Sequence, residues 1–169
     1  MNSSDPLKTA QDLAVTAQTL AVVALVTLTV AIVDKGGFAI AHNLFADEIT
    51  WRESIHNIGV TMIQLVPALL FFEATNKLRK ALSTFSQGEF FSQNAAHHVA
   101  EAGTTAIYAM VAVMVITPNL LAWVDKQGGF TVVIEPEYLG MLAFALFVCL
   151  VGKILVVATA LKSENDAFV

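Results

Sequence analysis

The sequence predicts an all-α polytopic membrane protein: four transmembrane helices, with a cytoplasmic helical hairpin between the second and the third. Three observations lead there. The chain is 56% hydrophobic and only 14% charged, with a mean hydropathy of +0.68, whereas a soluble domain carries about 25% charged residues. The apolar residues are gathered into four runs, each long enough to cross a hydrocarbon core of roughly 30 Å, which takes about 20 helical residues. The third is one polar stretch, Glu73 to Gly103, EATNKLRKALSTFSQGEFFSQNAAHHVAEAG, which interrupts an otherwise apolar chain and joins two of the runs.

Helix 1 is expected over residues 13–33, capped by Asp12 or an earlier polar residue. Thr16, Gln18, Thr19, Thr27 and Thr29 stud it, and hydroxyl and amide side chains of this kind join helices across a bundle. It should stop at VDKGGF (33–38), with Lys35 at the negative end of the dipole and Gly36 or Gly37 as the left-handed cap. The loop over 34–56 carries Phe38, Phe45 and Trp51, which suit the interfacial belt, and a short amphipathic helix lying on the membrane is expected there. Helix 2 covers 56–75, kinked at Pro67. Helix 3 covers 103–124, with a second kink at Pro118, and ends in VDKQGGF (124–130), nearly a repeat of VDKGGF. That echo reads equally as a duplicated two-helix unit or as shared capping chemistry. TVVIEPE (131–137) holds a brief extended stretch, and Pro136 with Glu137 suits the first turn of helix 4, over 138–161.

Between helices 2 and 3 the helical pattern does not end at the membrane. Leu78, Leu82 and Phe85 continue an apolar stripe beside Lys77, Arg79 and Lys80. Gln87-Gly88 makes the turn, and Ser92 caps the returning arm. Residues 74–102 thus form a hairpin whose arms each protrude by about ten residues, or roughly 15 Å. Lys8, Lys77, Arg79, Lys80 and Lys162 fall on its side of the membrane, against Lys35, Arg52 and Lys126 on the other. The positive-inside rule therefore places the hairpin and both termini in the cytoplasm.

The net charge of −5 excludes a basic nucleic-acid-binding face. Cys149 is the single cysteine, so no intrachain disulfide forms. The N-terminus lacks a basic region and cleavage site, so the first run is expected to remain as a helix. His97 and His98 point about 100° apart on a helix, and neither HExxH nor CxxC spacing occurs. No metal, haem or other cofactor and no catalytic residues are expected, so the chain reads as a non-enzyme.

Glu73 and Lys153 are the ionisable residues expected at membrane depth, paired between helices 2 and 4. Such a pair is either a structural staple or an ion pathway, and Lys153 alone can snorkel to the headgroups. Lys77, Arg79 and Lys80 either contact anionic lipid or simply obey the orientation rule. Phe85, Phe90 and Phe91 cluster at the hairpin tip, where they fold the turn onto itself, press into the interface, or anchor a protein partner.

LRKALSTFSQGEFFSQNAAHHVAEAG resembles the signature of the domain of unknown function 2975 family, small four-helix bacterial membrane proteins. The match falls on Leu78, Arg79, Phe85, Gly88, Glu89, Phe91, Ser92, Asn94 and Gly103, and the tail LKSENDAFV resembles the family's acidic ending. The resemblance implies a bacterial inner membrane and no known reaction. Members are often encoded beside a small helix-turn-helix regulator, which implies a membrane protein that restrains or relays to a transcription factor. Phe85, Gly88, Glu89, Phe90, Phe91 and Asn94 are then the expected partner-binding residues, alongside membrane lipid and a second copy as further partners. The alternative is a small dimeric transporter or channel using Glu73 and Lys153.

Overall fold

The computed structural model describes residues 5–45 and 50–167. Among these, every regular element is helical. The first rod joins α1 (Pro6–Ile32), a π-helical turn (Val33–Phe38) and α2 (Ala39–Phe45). The second is α3 (Trp51–Ser86). The third joins α4 (Gln93–Val111), a second π-helical turn (Ala112–Ile116) and α5 (Thr117–Val124), and the fourth is α6 (Pro136–Asp166). All four rods are long and apolar enough to cross a membrane, and the chain is a multi-pass membrane protein. Each contains one of the expected spans and continues well past it. Phe168 and Val169 of the acidic ending, and residues 46–49 of the first loop, lie outside the described residues.

The rod ends follow elementary capping chemistry. Asp5, not Asp12, caps α1: its Oδ1 accepts from the Leu7 N–H at 3.2 Å, with Pro6 in the first turn. The Glu53 carboxylate accepts from the hydroxyl and the N–H of Thr50, at 2.7 and 3.1 Å, where α3 begins. Pro136 and Glu137 open α6 as expected.

The two near-repeats behave differently. VDKGGF does not stop the first helix; it winds through as a π-helical turn, and α2 extends the same rod instead of lying apart on the membrane. Gly36 is not a left-handed cap. It is buried at the crossing with α3, where a Cβ would lie 2.6 Å from Leu65 Cδ1. The Asn57 side-chain amide donates to Asn43 Oδ1 at 2.9 Å and ties α2 to α3. VDKQGGF does stop its helix. Lys126 takes φ 56°, its N–H bonds to the Trp123 carbonyl at 3.1 Å, and the Gln127 N–H bonds to the Ala122 carbonyl at 2.8 Å. That is a Schellman ending with lysine in the left-handed seat.

The prolines also part ways. α3 runs on as α-helix through the buried Pro67. Pro118 is preceded by the second π-helical turn and cannot donate to the Met114 carbonyl. That carbonyl instead accepts from the Val133 N–H at 2.9 Å. Asn119 clamps the same segment, its amide donating to the Thr131 carbonyl at 2.6 Å and its Oδ1 accepting from the Thr131 N–H at 3.0 Å. The extended stretch therefore folds back along the third rod before leading into α6.

Each rod packs on the next, α1 on α3, α3 on α4 and α4 on α6, while α1 and α6 at the ends of this row make no extended contact. The bundle is open. An apolar cleft of about 500 Å³ runs between α3, α4 and α6, lined by Phe71, Ala74, Ala102, Phe144 and Val148 among others. The tightest seam is α4 on α6: a Cβ at Gly103 would collide with the backbone of Cys149, and one at Gly152 with the backbone of Ala100. Small residues are what allow such an approach in a membrane. The threonines of α1 do not join helices. Thr16, Thr19, Thr27 and Thr29 donate to carbonyls four residues back on their own helix, and it is Gln18 that reaches across, accepting from Ser86 Oγ at 3.2 Å.

Candidate functional site

The turn between α3 and α4 is built as its sequence requires. Gly88 takes φ 86°, its N–H bonds to the Phe85 carbonyl at 2.9 Å, and the Glu89 N–H bonds to the Thr84 carbonyl at 3.3 Å. These two bonds are a Schellman ending, and only glycine enters the left-handed region without strain. Ser92 then opens α4, its carbonyl accepting from the Ala96 N–H at 3.0 Å.

Phe85 and Phe90 stack across this turn, with ring centroids 6.0 Å apart and planes at 19°. Both are half-buried, and they fold the tip onto itself. Phe91 points the other way and is 59% exposed, its ring under the Lys162 ammonium at 5.2 Å. Gly88, Glu89 and Asn94 are exposed.

The hairpin does not stand alone. α1 begins and α6 ends at its tip, so a shallow depression of about 390 Å³ is walled by Leu7, Gly88–Ser92 and Lys162. Gln11 lies so close that a Cβ at Gly88 would be 2.6 Å from its Nε2. The two arms expected to protrude by themselves are flanked along their length by the first and last helices. Leu7 and Lys162 were missed as tip residues because nothing local links positions so far apart in sequence. Both described ends of the chain fall at the tip.

The expected Glu73–Lys153 pair is not formed. Glu73 lies 3.8 Å from Lys77, four residues on along α3, and Lys77 lies 3.4 Å from Glu101 of α4. The Lys77 ammonium also donates to Thr105 Oγ1 at 3.4 Å. α4 stands between α3 and α6, and Lys153 joins no ion pair among the described residues. The spacing of Glu73 and Lys77 was legible as a helical i, i+4 pair; Glu101 was not, since its approach depends on how two helices cross. Arg79 donates to Asn76 Oδ1 on its own helix, at 3.2 Å from Nη2. His98 is turned inward with a buried Nδ1 that has no partner, while His97 is exposed. At the far end His56 Nε2 lies 3.4 Å from Asp125 Oδ1, linking α3 to the third rod.

Chemically, the tip offers an aromatic face edged by a carboxylate and an ammonium, a surface for binding. The described residues hold no group of three or more His, Cys, Asp or Glu placed to share a metal ion. No curated protein and no solved structure matches the chain. The family model described as a protein of unknown function, DUF2975, matches residues 8–169. With Gly88 in its turn and Gly103 in its helix seam, this chain belongs to that family.

Proposed function

We propose that this protein is a regulatory membrane protein that acts by binding, and that its hairpin tip docks a cytosolic protein such as a helix-turn-helix transcription regulator. The observation that carries the reading is Phe91. It is held 59% exposed on a tip whose other two phenylalanines are stacked together, between Leu7, itself 64% exposed, and the Lys162 ammonium. An aromatic anchor with an apolar neighbour and charges of both signs at its rim has the composition of a protein-binding hot spot. The tip faces the cytoplasm of a bacterial inner membrane in this reading, on the five-to-three balance of basic residues. The second reading, a small transporter, draws on Glu73 with Lys77 and Glu101 rather than on Lys153.

A photoreactive residue at Gln87, exposed beside the turn, tests the first reading in living cells. Capture of a soluble DNA-binding protein, abolished by Phe91→Ser, is the expected result. Capture of lipid alone, unchanged by Phe91→Ser, overturns it. A loss of ion or solute flux in Glu73→Gln, with the captured partner unchanged, would favour the transporter.

A further inference from the structure

The helix registers set two levels for the apolar runs. Gly103 against Cys149 and Gly152 against Ala100 align α4 with α6. Lys77 near Glu101, and His56 near Asp125, align α3 with the third rod. Gln18 on Ser86 and Gly36 on Leu65 align α1 with α3. Through these contacts the middles of the apolar runs of α1 and α6 lie level with about Lys77 and Gly103. The middles of the runs of α3 and the third rod lie near Gln64 and Met114, a dozen residues further and so roughly 20 Å away.

A hydrocarbon core of roughly 30 Å cannot be centred on both levels. Centred on α3 and the third rod, it leaves Leu13, Leu20, Val157 and Leu161 in water, each 59% exposed or more. Centred on α1 and α6, it takes in Glu73, Lys77 and Glu101, with the two carboxylates 49% and 54% exposed. Charges at that depth are costly unless protein covers them.

The charges share one face. Glu73, Lys77 and Lys80 follow at i, i+4 and i+7 on α3, and Glu101 meets Lys77 from α4 beside Thr104 and Tyr108. Lys153 belongs to the same face of α6, four residues beyond Cys149, whose Sγ lies 3.5 Å from Thr104 Oγ1. The apolar cleft opens on the opposite side of α4, at Ala102 and Ala106. α1 meets α3 around Ala68, half a helical turn from Lys77. Within one chain the two carboxylates share Lys77, while Lys80 and Lys153 join no ion pair among the described residues. The face therefore carries Glu101 near its centre, with Lys80 and Lys153 as free cations close to its depth, and Glu73 about 10 Å from Lys80 along α3.

We infer that a second copy of this chain docks on this face. A twofold axis along the membrane normal keeps each residue at its own depth, so Lys80 and Lys153 of one protomer meet Glu101 of the other. The charges are then enclosed by protein, and the outer faces of α1 and α6 meet lipid at their own level. The inference is independent of what the hairpin tip binds, but it places Lys77, Arg79 and Lys80 at membrane depth, where they no longer count toward the charge balance that sets which side the tip faces.

Cysteine crosslinking in membranes tests it, in a Cys149→Ser background with a short bis-maleimide. Tyr108→Cys, at a site 60% exposed on the charged face, should give a covalent dimer. Phe144→Cys, 66% exposed on the cleft side, should give at least tenfold less. Glu101→Lys should cut the Tyr108→Cys yield several-fold, and adding Lys153→Glu should restore it. Equal yields at the two cysteines, a yield indifferent to Glu101→Lys, or a monomer by native mass measurement from lipid nanodiscs would each overturn the inference.

Discussion

Gly103→Ala is the sharpest probe of the fold, because a single methyl group must enter where two helix backbones meet. Its Cβ would fall on the main-chain nitrogen, Cα and Cβ of Cys149. None of these can rotate aside, and non-bonded carbon atoms prefer about 3.5–4.0 Å, so α4 and α6 must separate. Overpacking of this kind costs about 1–3 kcal/mol, and the rigid obstacle argues for the upper end, about 3. Replacing a helical glycine by alanine returns about 1 kcal/mol of backbone propensity. The net expectation is a loss of about 2 kcal/mol, a shift of roughly 30-fold in the folded-to-unfolded ratio. Gly59→Ala is the matched control: that helical glycine has no heavy atom within 4 Å of where its Cβ would sit, so only the propensity gain of about 0.5–1 kcal/mol should appear. Reversible unfolding in mixed micelles, followed by tryptophan fluorescence, reads both variants. The same change in stability for Gly103→Ala and Gly59→Ala would refute the close α4–α6 seam.

Two further substitutions test the tip and the far loop. Gly88→Ala should destabilise the hairpin by about 1–2 kcal/mol, since alanine disfavours the left-handed seat and its Cβ would press on Gln11; faster amide exchange confined to residues 84–92 would report it, and unchanged exchange would count against the turn geometry. Asn119→Ala removes two hydrogen bonds to Thr131, worth about 1–3 kcal/mol together. Proteolysis between Lys126 and Glu135 should then accelerate while the other loops keep their protection, and an unaltered cleavage rate would argue against the clamp.

How much of this was legible beforehand depends on the range of the forces involved. Four spans, the turn at Gly88, the helix start at Ser92 and the proline opening α6 all follow from chemistry within a few residues, and the structure has each, with the Ser92 side chain making no capping hydrogen bond. VDKGGF and VDKQGGF mark where that range ends. Both offer glycines after a lysine, and a capping rule treats them alike. One is drawn into a continuing helix because Gly36 lets Leu65 of another helix come close; the other has no such neighbour at Gly128 or Gly129 and turns away through Lys126. Pro67 and Pro118 differ for a similar reason, since Val133 is at hand to take the carbonyl that Pro118 leaves without a donor.

The candidate site divides along the same line. The phenylalanines, the glycine turn and the charged stretch were visible as residues, but their roles were not. Phe85 and Phe90 satisfy each other and leave Phe91 outward, and Glu73 and Glu101 share Lys77 because α4 stands where Lys153 was expected. Composition and hydropathy alone determined that this chain enters a membrane four times and turns back at Gly88, because burial of apolar side chains and capping of helix ends act locally along a helix. The tertiary structure decided that the hairpin is flanked by the first and last helices, and that the four apolar runs sit at two levels. Depth and neighbour are relations between helices, set by where Gly36, Gly103 and Gly152 let backbones meet.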